Sequence, residues 1–102
     1  MKLLVVTSLK EYQKTVSGII EKAGIEVFSV SETIGFKDHR TPNLLDNWFS
    51  SGNEHFDSIV LFTFTEEAKV ELALTLIQKH NAENETGFPL RAFIMPVEKS
   101  SY

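Results

Sequence analysis

Asp38, His39, Glu54 and His55, at the two ends of one stretch of chain, are of types that ligate metals. Imidazole and carboxylate suit zinc, copper or nickel. No pair among them has the spacing of a metal motif, and His39 and His55 meet only if the chain between them folds back. Solvated loop residues are the better reading, so no metal site is expected. Arg91 could hold an anion; taken alone, it reads as an exposed arginine on an edge strand. Ser8 has no histidine and aspartate partners at a triad spacing. Glu66 and Glu67 fit the first turn of a helix and His80 the last, where each charge complements the helix dipole. The chain has no metalloprotease helix, Walker loop or dinucleotide fingerprint. These residues point away from an enzyme.

The chain has 102 residues, 42% of them hydrophobic and 24% charged. That length implies one domain, residues 1–102, with one core. Such a domain buries only about two-thirds of the surface its unfolded chain exposes. Its stability is modest unless subunits cover one another. There is no cysteine, which excludes disulfides, thiolate zinc sites and a cysteine nucleophile. The apolar run Leu3-Leu4-Val5-Val6 ends at Thr7-Ser8, too short for a signal peptide or a membrane span. A cytoplasmic location is the expectation. Net charge is −4 with no lysine–arginine cluster, so nucleic acid is not an expected partner.

The elements that must position these residues follow from periodicity. Leu3–Thr7 reads as a buried strand. Ser8 and Glu11 have the capping-box spacing. Tyr12, Val16, Ile19, Ile20 and Ala23 then form a helical stripe, closed by Gly24 at a left-handed cap. Ile25–Phe36 reads as a second strand, with Phe28, Val30, Ile34 and Phe36 on one face and Val27, Ser29, Ser31 and Thr33 on the other. Residues 37–57 read as a long loop. Within it Asn43 could cap a short helix carrying Leu44, Leu45, Trp48 and Phe49. These four form either a partner-docking patch or a helix folded onto its own assembly.

Ser58–Thr65 reads as a central strand covered on both sides. Thr65 is expected to cap a helix with Val70, Ala73, Leu74 and Ile77 at its core, widened by Leu72 and Leu76. Leu90–Val97 reads as a last strand, with Pro96 marking an edge or a strand end. The order strand-helix-strand, repeated, predicts an α+β ferredoxin-like βαββαβ sandwich: a four-stranded antiparallel sheet with two helices on one face. The other face keeps apolar residues in either register. Leaving them in water costs about 25 cal/mol per Å², and association of copies removes that cost.

Several segments resemble the PII signalling family. Ala23-Gly24-Ile25-Glu26, followed by Ser29-Val30-Ser31-Glu32-Thr33-Ile34-Gly35-Phe36, is similar to that family's first helix end and second strand. Thr86-Gly87, then Arg91-Ala92-Phe93-Ile94-Met95-Pro96-Val97-Glu98, is similar to its nucleotide-loop start and fourth strand. The resemblance covers most of the chain outside residues 37–57. It implies a homotrimeric signal-transduction protein that binds an adenine nucleotide in clefts between subunits and regulates a transporter, enzyme or regulator through the loop after the second strand. It assigns Ser29 to adenine contact, Gly35 to the base of the loop, and His39 to nucleotide or metal contact. Thr86 and Gly87 would start the phosphate loop, and Arg91 would meet phosphates.

Departures from the family pattern shape that expectation. The family's Gly-Asp-Gly-Lys is replaced by Phe88-Pro89-Leu90-Arg91, with fewer glycines and a stiffer chain. A mono- or diphosphate, a cyclic dinucleotide or no nucleotide at all is expected ahead of ATP. The loop has no tyrosine to modify, and the family's basic C-terminal Arg-Thr-Gly is absent. The expected partner is a membrane transporter or a regulator protein. The alternative is a divalent-metal module similar to the trimeric CutA proteins. A small ferredoxin-like enzyme is the third reading, because one fold hosts many functions.

Overall fold

The computed structural model describes residues 1–36 and 55–101. Strand β1 spans Lys2–Leu9, helix α1 Gln13–Lys22, β2 Ser29–Phe36, β3 His55–Thr65, α2 Glu67–Glu83 and β4 Arg91–Pro96. The fold is α+β, with two helices and one four-stranded sheet in the order β2-β3-β1-β4. Every neighbouring pair is antiparallel.

Side-chain alternation along the strands decides where the core sits. Leu4 and Val6 of β1 share a face with Leu61 of β3. Val16 and Ile20 of α1 and Val70, Ala73 and Ile77 of α2 join them in one buried cluster. Both helices therefore cover the same face. The helical stripes expected over α1 and α2 supply these residues, except that Leu72 is exposed and Leu74, half-buried, is not part of the cluster. Residues 3, 5, 7 and 9 of β1 and the even-numbered residues of β3 point the other way.

Helix α1 ends as its sequence predicts. Gly24 has φ +84°. Its N–H donates to the Glu21 carbonyl at 3.0 Å, and the Ile25 N–H donates to the Ile20 carbonyl at 3.3 Å. This is a Schellman closure. It tucks Ile25 into the core at 2% exposure.

That closure also corrects the start of β2. Residues 25–28 are not strand, because Ile25 serves the helix end; β2 begins at Ser29. Phe28, just before β2, and Val30 on it pack on the core, but Ile34 and Phe36 of β2 are exposed.

Neither Ser8 nor Thr65 caps a helix N-terminus. The β1 ladder continues through Ser8 opposite Ile59 and Leu9 opposite Ser58. The Ser8 hydroxyl donates to the Leu9 carbonyl, and a 3₁₀ turn over Lys10–Tyr12 leads into α1. Thr65 is likewise held in the sheet opposite Lys2, so Glu66 begins α2 without a side-chain cap. In both places long-range strand pairing overrides a local capping preference.

The loop expected over 37–57 loses its last three residues to β3. Phe36 pairs with His55, Gly35 with Phe56 and Ile34 with Asp57. β4 is shorter than expected, because Leu90 is engaged elsewhere. It is an edge strand that ends at Pro96, as the proline suggests. β3 is central, but only one of its faces lies under the helices.

Candidate functional site

The face away from the helices is the first feature of interest. Strand register arranges it in rows. Phe93, Val5, Phe62 and Ser29 form one row; Arg91, Thr7, Val60 and Ser31 form the next. Leu3 beside Met95 and Phe64 makes the row beyond Phe93. Phe62, Phe64, Phe93 and Met95 are 38%, 52%, 41% and 40% exposed. The Phe62 and Phe64 rings meet edge to face with centroids 6.4 Å apart. Among the described strand residues on this face, Arg91 is the only charged one. Large apolar surface of this kind marks an interaction site, and depletion of charge is the signature of an interface centre.

Ser29 and Arg91 both lie on this face, at opposite edges of the sheet. Three strand spacings of about 4.8 Å separate β2 from β4, roughly 14 Å in all. Ser29 also borders a cleft of about 240 Å³ lined by Val27, Phe28, Phe62, Thr63 and Phe64. The Thr63 hydroxyl donates to the Val27 carbonyl at 2.6 Å and so holds the chain that enters β2 against β3.

Gly35 is buried at the far end of β2, six residues from Ser29 and about 20 Å along the strand. It pairs with Phe56. Phe56 in turn meets Phe88 edge to face with centroids 6.5 Å apart. Gly35 and the Phe88 ring therefore share this end of the sheet; Arg91, level with Ser31, stands one row from Ser29 and two rows from Gly35. His39, Leu44, Leu45, Trp48 and Phe49, with Asp38 and Glu54, lie outside the described residues.

The segment between α2 and β4 is tied at three points. The Asn81 amide donates to the Leu90 carbonyl at 2.8 Å and accepts from the Leu90 N–H at 2.9 Å. One side chain thus mimics a strand partner for Leu90, the residue before Arg91. The Phe88 N–H donates to Thr86 Oγ1 at 3.0 Å, a hydroxyl turn. The Phe88 ring on Phe56 is the third tie. Sequence reasoning passed over Asn81 and Phe56. Asn81 in the last turns of a helix gives no local sign of a partner nine residues away. Phe56 was read as loop, although it stands two residues before the predicted strand and keeps its alternation.

On the helix side, Lys10, Glu32, Thr33, Ile34 and Asp57 line an open depression of about 550 Å³. Lys10 pairs with Glu32. The hydrogen bond to Glu32, then the Glu32 charge, and to a lesser extent the Asp57 charge, raise the Lys10 ammonium above the ordinary lysine value. Both members of the pair are exposed to water, so this is a surface ion pair of little weight. Among the described residues no three histidine, cysteine, aspartate or glutamate side chains gather as metal ligands. Among them, too, no helix is long and apolar enough to cross a membrane. No protein-family model matches the chain, and no curated protein matches it either.

Proposed function

We propose that this chain is a PII-like regulatory protein with a ferredoxin-like βαββαβ fold, and not an enzyme. Three copies associate through the sheet face that the helices leave open. A small anionic effector, an adenine nucleotide by its chemistry, binds at the seams between copies. The effector biases the segment after β2, which engages a partner such as a membrane transporter or a regulator.

The observation that carries this reading is the placement of Ser29 and Arg91. They share one face but stand on opposite edge strands, with exposed Phe62 and Phe93 between them. Within one chain a ligand touching both would lie across bare aromatic surface. Between copies, the β2 edge of one and the β4 edge of the next form a closed groove. Ser29 then offers a hydroxyl and an aromatic-walled cleft for a base, and Arg91 offers a cation for a phosphate. Effector binding changes the segment after β2 only through differential contact with its alternative states.

The test has two parts. Light scattering of the purified chain is expected to give the mass of three copies. Calorimetry with adenine nucleotides is expected to show binding that Arg91→Ala abolishes or weakens about tenfold or more. A stable lone subunit, or binding indifferent to Arg91→Ala, refutes the reading.

A further inference from the structure

Building on the nucleotide reading above, we infer that the site engages only one phosphate: a nucleoside monophosphate binds as tightly as its di- or triphosphate. The argument is an account of donors in the segment after α2. A polyphosphate is held by several backbone N–H groups aimed at its oxygens, with cations at the outer groups.

Between Thr86 and Leu90 three positions offer no outward donor. Pro89 has no N–H. The Phe88 N–H is engaged by Thr86 Oγ1. The Leu90 N–H is engaged by Asn81 Oδ1, and Asn81 Nδ2 holds the Leu90 carbonyl in the same clamp. Leu90 itself is 3% exposed, so freeing its amide means pulling an apolar side chain from the core. The Phe88 and Leu90 amides are thus withheld from a ligand, and Pro89 adds none.

Charge works in the same direction. Glu83 and Glu85 are exposed beside Thr86, and the whole chain carries −4. Each further phosphate brings more negative charge to carboxylates without a matching set of donors. Asn81 and Thr86 are thus specificity-determining through the donors they engage, not through contact with the phosphate.

Titration calorimetry of the chain with AMP, ADP and ATP at one ionic strength reads the ranking. The expected dissociation constants agree within about threefold. ATP binding about tenfold or more tighter than AMP overturns the ranking and leaves the nucleotide reading standing. Silence from all three overturns both. Amide hydrogen exchange on the unliganded chain tests the donor account without any nucleotide. The Leu90 amide is expected to exchange as slowly as the β1 ladder. Exchange at the rate of an unstructured peptide overturns the account.

Discussion

Leu61 and Phe62 are consecutive in β3, and the sheet treats them oppositely. Leu61 points to the helices and is fully buried; Phe62 points away and is 38% exposed. The contrast holds over the rows of β1, β3 and β4 and reverses at the far end of β2 and β3, where Phe56 and Ser58 of the open face are buried and Ile34 and Phe36 of the helix side are exposed. Leu4, Val6 and Leu61 are sealed by α1 and α2, whereas Phe64, Phe93 and Met95 face outward with much of their surface in water. Side-chain hydrophobicity does not separate the two faces. What separates them is a cover: two helices on one side, and nothing among the described residues over those rows on the other. A strand that is apolar on both faces is built for two covers, so the second one is to be sought beyond the described residues.

The largest effect that sharpens this contrast comes from the closed face. Leu61→Ala leaves a cavity in a packed core and is expected to lower unfolding free energy by about 2–5 kcal/mol. That loss does not depend on protein concentration. Phe64→Ser on the open face is expected to destabilise only where copies associate, since mass action then links stability to concentration. Urea unfolding at two concentrations a hundredfold apart, about 1 and 100 μM within the range where chains associate, distinguishes the two. A Phe64→Ser loss as large in dilute protein as in concentrated protein would break the comparison.

The alternation that makes the two faces was legible in the sequence, because a period of two is local. So was the Gly24 helix end, which needs only a residue tolerant of positive φ and an apolar residue after it. The capping roles of Ser8 and Thr65 were misread because each hydroxyl stands where a strand still has a partner: Ile59 for Ser8, Lys2 for Thr65. Capping preference is worth about 1 kcal/mol, and several ladder bonds together outweigh it. The site was legible only in pieces. Thr86, Gly87 and Arg91 are close in sequence and stay together. Ser29 and Gly35 look like neighbours in one strand, but the extended backbone carries them to opposite ends of the sheet.

A middle-sized effect tests the tied segment against the open face. Asn81→Ala removes both bonds to Leu90 and leaves a donor and an acceptor partly buried without partners. The expected loss is about 1–3 kcal/mol, with faster amide exchange at Leu90. Association should persist, because Phe62, Phe64, Phe93 and Met95 are untouched. Dissociation of the assembly in Asn81→Ala would show that the two regions are not independent, and would move the seam toward the 86–91 segment.

The smallest effect belongs to the pair between Lys10 and Glu32. Its sign follows from the raised Lys10 value. A group whose folded value exceeds its unfolded one stabilises the fold while it stays protonated in both states. That contribution is fully present below the ordinary lysine range and fades as pH rises through the raised value. Stability near neutral pH therefore contains whatever the pair supplies, and the loss is confined to strongly alkaline solution. Exposure and salt screening keep that amount small. Glu32→Gln is expected to leave the melting temperature at neutral pH within replicate scatter and to flatten only the alkaline limb of the stability curve. A clear fall in melting temperature at neutral pH would mean that Glu32 is shielded from water in the working assembly. The β2 edge, which carries Glu32 on its helix side, would then lie inside the interface, and the seam would wrap around the sheet edge instead of stopping at the open face.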